Sequence, residues 1–151
     1  MANMANMENK DGLENTINFY HEGEVRPYEV DSQGIVHHSH YCIWAECARF
    51  LYFKNLGIDV FMLGQSKKID LVIKDMKINF IQPLLFGMRY KITCNHKVIS
   101  KLKFEVNCHI YSNQTLFCSV SVDAVAINRE TKKPNRDFIK NYLNNLNVDV
   151  Q

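Results

Sequence analysis

The chain has 151 residues, 46% hydrophobic and 23% charged, which is apolar material for one core and too little length for two ordinary domains. Lys and Arg number 18 against 16 Asp and Glu, and the formal charge of +2 excludes long-range attraction to nucleic acid or an anionic membrane as the basis of function. No apolar run approaches the ~18 residues of a membrane span and no basic segment leads into an apolar one, so a cytoplasmic protein without membrane insertion is expected.

Residues 1–16 open on Met1-Ala2-Asn3-Met4-Ala5-Asn6-Met7 and continue polar, with no face to bury, so disorder is expected ahead of a single domain over 17–151. A first strand is predicted around Phe19 to Val30. A loop rich in reactive groups follows, from Arg26 to Tyr41. From His40 to Asn55 almost every position is apolar or aromatic, and Gly57 supplies a C-terminal stop, which predicts a long helix buried on most sides. Its polar members Glu46 and Arg49 stand three apart, a spacing at which they can pair.

Gly64 to Lys68 reads as a connection, after which the period changes to two. Leu71 to Gln82 predicts a strand with a bulge at Lys74-Asp75, where the alternation breaks, and Pro83 ends it. Tyr90, Ile92, Cys94, His96 and Val98 alternate with polar neighbours, as do Phe104 to Ile110 and Leu116 to Ala124. These runs predict three successive antiparallel strands joined through Ser100-Lys101 and Ser112-Asn113-Gln114. A polar turn from Asn128 to Pro134 leads to a short amphipathic tail helix. The five cysteines, Cys42, Cys47, Cys94, Cys108 and Cys118, are scattered without C-x-x-C spacing and read as reduced core thiols.

The order β-α-β-β-β-β describes an α+β chain. One apolar helix beside about five antiparallel strands is satisfied when a twisted sheet curls around the helix, the hotdog arrangement. Such a sheet keeps an open edge, and pairing with a second copy would cover it, so a homodimer or homotetramer is expected.

The stretch Asp31-Ser32-Gln33-Gly34-Ile35-Val36-His37-His38-Ser39-His40-Tyr41 carries the pattern D-x-x-G-[IV]-V-x-H-x-x-Y, and Glu46, Ala48 and Arg49 supply E-x-A-R in the helix behind it. Matches continue through Leu56-Gly57-Ile58, Ile78 to Pro83 and Asn128 to Pro134. In these residues the chain resembles the 4-hydroxybenzoyl-CoA thioesterase-like family of hotdog enzymes, including its Tol-Pal-associated acyl-CoA thioesterase branch. The resemblance covers roughly residues 19–135. It departs at Pro27, where part of the family has a tyrosine four residues before the aspartate.

The resemblance implies hydrolysis of an acyl-CoA or acyl-carrier-protein thioester, with no metal or organic cofactor. Asp31 is then nucleophile or general base, Gly34 lets the backbone pass close to the substrate, and the His38 amide at the helix start is the oxyanion donor. Tyr41 is a candidate for substrate contact, and Lys101 and Lys103 for the phosphates of CoA. By turn chemistry alone Asp31 would be only a turn former, and His37, His38 and His40 have no Cys or carboxylate spaced to complete a metal site. Two other functions fit the same fold: a module that binds acyl thioesters without cleaving them, and a hydration or dehydration enzyme, whose histidine-containing patterns are missing here.

Overall fold

The computed structural model describes residues 18–144, so the N-terminal stretch 1–16 lies outside the described residues. Its strands are β1 (Tyr20–Glu24), β2 (Ile69–Phe80), β3 (Arg89–Val98), β4 (Lys103–Ser112) and β5 (Thr115–Asn128), and its α-helices are α1 (His38–Asn55) and α2 (Val60–Ser66). The strands form one antiparallel sheet in the order β1-β3-β4-β5-β2. The sheet wraps α1, and the chain has the hotdog fold.

The helix packs through Tyr41, Trp44, Ala45, Ala48, Arg49, Tyr52 and Phe53, residues three and four apart that form one buried stripe. Ala45 and Ala48 are fully buried, and their small side chains let the helix backbone approach the sheet so closely that Cys108 Sγ lies 3.7 Å from the Ala45 carbonyl. The opposing face is built from the alternate residues of β3, β4 and β5, among them Ile92, Phe104, Val106, Ile110, Val120 and Val122, all almost wholly buried. Those are the positions that the two-residue rhythm selects. The predicted bulge is present, since the β2–β5 register shifts between Ile73 and Asp75. At the β4–β5 hairpin Asn113 and Gln114 both take positive φ, 47° and 67°, the left-handed pair that a two-residue turn needs to match strand twist.

Several boundaries and contacts differ from the sequence reading. The first strand stops at Glu24, because Pro27 opens a single 3-10 turn over Pro27–Glu29 and turns the chain toward the helix. Helix α1 begins two residues earlier than His40, since His37 caps it by accepting the Ser39 N–H on Nδ1 at 3.3 Å. The segment Gly64 to Ser66 is the end of α2 rather than a connection, and Asp59 caps that helix by accepting the Phe61 and Met62 N–H groups, both at 3.1 Å. The tail turn Ile139–Leu143 is π-helical and buries Phe138, Ile139 and Leu143.

Glu46 and Arg49 do not pair: Glu46 faces solvent, whereas Arg49 points inward, is 8% exposed, and leaves Nη1 without a partner among the described residues. Their spacing allowed contact, but the core claimed the arginine. Nor are all the thiols in the core. Cys94, Cys108 and Cys118 are buried, with Cys94 and Cys108 facing each other at 3.2 Å between sulfurs, but Cys47 is exposed and Cys42 only half-buried.

Candidate active site

The loop between β1 and α1 is held by backbone pairing at its base. Asp31 donates its N–H to the Ile35 carbonyl at 2.9 Å, Gly34 donates to the Asp31 carbonyl at 3.0 Å, and Val30 pairs with Val36. Gly34 takes φ +77° to close this turn, and a Cβ placed there would meet nothing within 4 Å. This left-handed backbone conformation favours glycine, and no described residue fills the space beside it. The turn is then tied to the segment after β2, where Val36 donates to Leu84 at 2.9 Å, Phe86 donates to Gly34 at 3.3 Å, and Ile35 bridges Leu85.

Asp31 is half-buried. One carboxylate oxygen accepts the Gln33 N–H at 2.7 Å, and the other has no donor among the described residues. His38 is the first residue of α1, and its N–H has no acceptor among the described residues, as expected for the first amide of a helix. Both residues line a groove of about 450 Å³ together with Ile35, Val36, His37 and Tyr41 on one side and Phe80, Ile81, Gln82 and Pro83 on the other. The groove is thus lined by an acidic residue, by the first residue of a helix at the positive end of its dipole, and by a largely apolar wall.

Tyr41 lines this groove from a buried position. Its hydroxyl accepts the Leu84 N–H at 3.1 Å, and burial raises its pKa above the ordinary 10.0 despite that bond. The ring packs edge-on against Phe80 at 5.4 Å, so Tyr41 joins the helix to the opposite wall. The histidines crowd the groove mouth: the rings of His37 and His38 lie 4.1 Å apart, and His37 Nδ1 sits 2.8 Å from Ser39 Oγ. No three His, Cys, Asp or Glu side chains are grouped to hold a metal ion among the described residues.

Of the residues picked out from the sequence, the structure therefore brings Asp31, His38 and Tyr41 to one groove, with Gly34 in the turn that carries Asp31. It does not bring Lys101 and Lys103 to them. Lys103 pairs across from Val125 and Phe80 across from Cys118 on the same strand, a separation of roughly 24 Å at strand rise. Lys103 Nζ also forms an ion pair with Asp123 at 2.6 Å, and Lys101 is exposed in the β3–β4 turn. Tyr28, the nearest stand-in for the displaced tyrosine, is 77% exposed and outside the groove.

One residue behind the groove is not marked by the sequence pattern. Glu29, two positions before Asp31, is buried at 7% exposure; its carboxylate accepts the Trp44 indole N–H at 2.9 Å and the Arg26 backbone N–H at 2.7 Å. Reading Phe19 to Val30 as one strand made it an ordinary member of an alternating run. The available signal was Pro27, which breaks that strand and places Glu29 in a turn.

The fold and the loop define a class, and comparison with known proteins agrees: over residues 25–140 the chain matches the thioesterase-like superfamily, and it belongs to that family. Among its relatives is "Putative acyl-CoA thioesterase YneP" of Bacillus subtilis (strain 168), 27% identical over 114 residues, covering 75% of this chain and 82% of that protein. Similar solved structures include the DHNA-CoA thioesterase from Staphylococcus aureus, with TM-score 0.72, 24% identity and 83% of each chain covered. Another is Slr0204, a 1,4-dihydroxy-2-naphthoyl-CoA thioesterase from Synechocystis, with TM-score 0.72, 17% identity, and 78% of this chain and 88% of that chain covered. The two structural likenesses establish the fold.

Proposed function

We propose that the protein hydrolyses acyl-CoA or acyl-carrier-protein thioesters in the cytoplasm, within one domain over 17–151 and without a metal or organic cofactor. The observation that carries this reading is that Asp31, with one carboxylate oxygen uncommitted among the described residues, and His38, whose N–H has no acceptor among them, line one groove with Phe80, Ile81 and Pro83. A thioester carbonyl laid against the helix start would place its developing oxyanion at the His38 amide, where the helix dipole favours negative charge. The uncommitted oxygen of Asp31 then either attacks the carbonyl carbon, expelling the thiolate and leaving a mixed anhydride for water to open, or takes a proton from a water that attacks directly. Both routes end in a carboxylic acid and a thiol. Within the superfamily, the loop pattern and the E-x-A-R element support a place beside the Tol-Pal-associated branch, and the relatives' names support CoA thioesters as the substrate class.

We further propose that the working unit is a homodimer or homotetramer. Among the described residues β2 has no strand on its outer edge, and Ile73, Met76, Phe80 and Ile81 are exposed along it. Phe80 and Ile81 also line the groove, so a second copy set against this edge would close it from water. Contact of Lys101 and Lys103 with the phosphates of CoA, from the same chain or from a second subunit, is part of the same proposal.

The test is thiol release from short, medium, long and aromatic acyl-CoA substrates by the wild-type protein and by Asp31→Asn. The amide is nearly isosteric and cannot supply the charge, so the variant keeps the fold and loses at least about 100-fold in kcat. A fully active, folded Asp31→Asn would remove Asp31 from the chemistry. Rapid acid quench and intact-mass measurement separate the two routes, since only the nucleophilic one leaves an acyl group on Asp31. Tight binding of acyl-CoA with no thiol released over hours would favour the binding-module reading.

A further inference from the structure

A carboxylate is costly to bury unless donors meet it, and Glu29 is met on both oxygens, by the Trp44 indole N–H and by the Arg26 N–H. Its backbone carbonyl accepts a third bond, from the His37 N–H at 2.8 Å. One residue therefore grips the chain before the Asp31 turn, the residue preceding His38, and the helix two turns further in. The segment between these grips, 30–36, is closed on itself by the Val30–Val36 pair and the Asp31–Ile35 bond. Where Asp31 sits relative to the His38 amide is thus set at the base of the loop.

Trp44 is itself braced. Its ring stacks on Tyr90 of β3, with centroids 4.2 Å apart and planes 20° from parallel. Tyr90 pairs across the sheet with Gly23 of β1, where an added Cβ would collide with the Tyr90 phenol. The missing side chain at Gly23 makes room for Tyr90 to lie under Trp44. None of Gly23, Glu29, Trp44 and Tyr90 lines the groove, so none touches a substrate bound there.

We infer that Glu29 is a positioning residue for the reaction, holding the Asp31 turn against the start of α1, and that Trp44, Tyr90 and Gly23 are the brace carrying this hold to the sheet. The inference rests on the reading of the groove as the thioester site. An apolar pair of the same volume would fill this space at no loss of stability in many proteins, whereas directed bonds to a carboxylate fix orientation. Tyr90 registers the arrangement: burial first and then the Glu29 charge push its phenol up to about 12.

The experiment compares wild type with Glu29→Gln, which turns an amide NH2 toward one of the two donors, and Trp44→Phe, which keeps a ring on Tyr90 but removes the N–H. In folded protein well below its Tm, kcat for thiol release is expected to fall about 100-fold in Glu29→Gln and about tenfold in Trp44→Phe, with KM within about twofold, as for misplacement of a reacting group. Hydrogen exchange is expected to quicken at the Asp31, Val36 and His37 amides while β4 and β5 keep their protection. A folded Glu29→Gln with kcat within about twofold of wild type overturns the inference, as does exchange that rises equally across the sheet. Should Glu29→Gln not fold, Trp44→Phe decides by the same two readouts. If wild type releases no thiol from any acyl-CoA, the thioesterase reading falls on that result alone, and local exchange still reports whether Glu29 holds the loop.

Discussion

At Gly34 the backbone conformation and the sequence pattern agree on the residue. The backbone adopts φ +77° with open space beside it, so a side chain is disfavoured by conformation alone. Gly34→Asn should therefore stay close to wild type in stability, and Gly34→Val should lose about 1–2 kcal/mol, measured by the midpoint of urea unfolding. His96 gives a second test. Its Nδ1 sits 2.8 Å from the Tyr52 hydroxyl in the core, and burial lowers its pKa below 6.5. On acidification the unfolded chain takes up that proton first, so the stability from a neutral His96 is complete above about pH 6.5 and is lost as pH falls below it. His21 and His109, whose pKa values burial also lowers, add in the same direction. His96→Leu should lose about 1–3 kcal/mol at pH 7.5 by stranding the Tyr52 hydroxyl, and should show a shallower fall in Tm between pH 7 and 5.

At the scale of elements, the strands were legible because each side chain of β3, β4 and β5 faces either the helix or the outside, and the alternation states which. Helix α1 was legible by length and apolar content, yet its orientation was not. Ile43, Cys47 and Glu46 face out while Arg49 faces in, which no count of apolar residues could reveal. The short α2 escaped notice because its seven residues are too few to show a period, and only its cap at Asp59 marks it. Close approach of helix and sheet at Ala45 and Ala48 is a packing fact of the same scale. Ala48→Leu should cost about 1–3 kcal/mol by overpacking, with m-value unchanged in urea, whereas the same change at exposed Cys47 should be nearly neutral.

For the molecule as a whole, the exposed edge of β2 carries the expectation of assembly. A pair of charges introduced by Ile73→Lys with Met76→Lys should shift sedimentation velocity from the mass of a dimer or tetramer toward that of one chain. If a second subunit closes the groove, thiol release should fall with it. A wild-type chain that sediments as a monomer at high concentration while fully active would remove the dimer from the mechanism.

By itself the sequence determined the sheet, the long helix and the loop carrying Asp31, Gly34, His38 and Tyr41, because periodicity and an ordered motif are properties of neighbours along the chain. Only the tertiary structure decided that the wall from Phe80 to Pro83 faces that loop, that Lys103 is committed to Asp123, and that Glu29 lies buried under Trp44. Those placements depend on residues far apart in sequence meeting across the wrapped sheet. A buried carboxylate looks like any other glutamate until the donors folded around it are known.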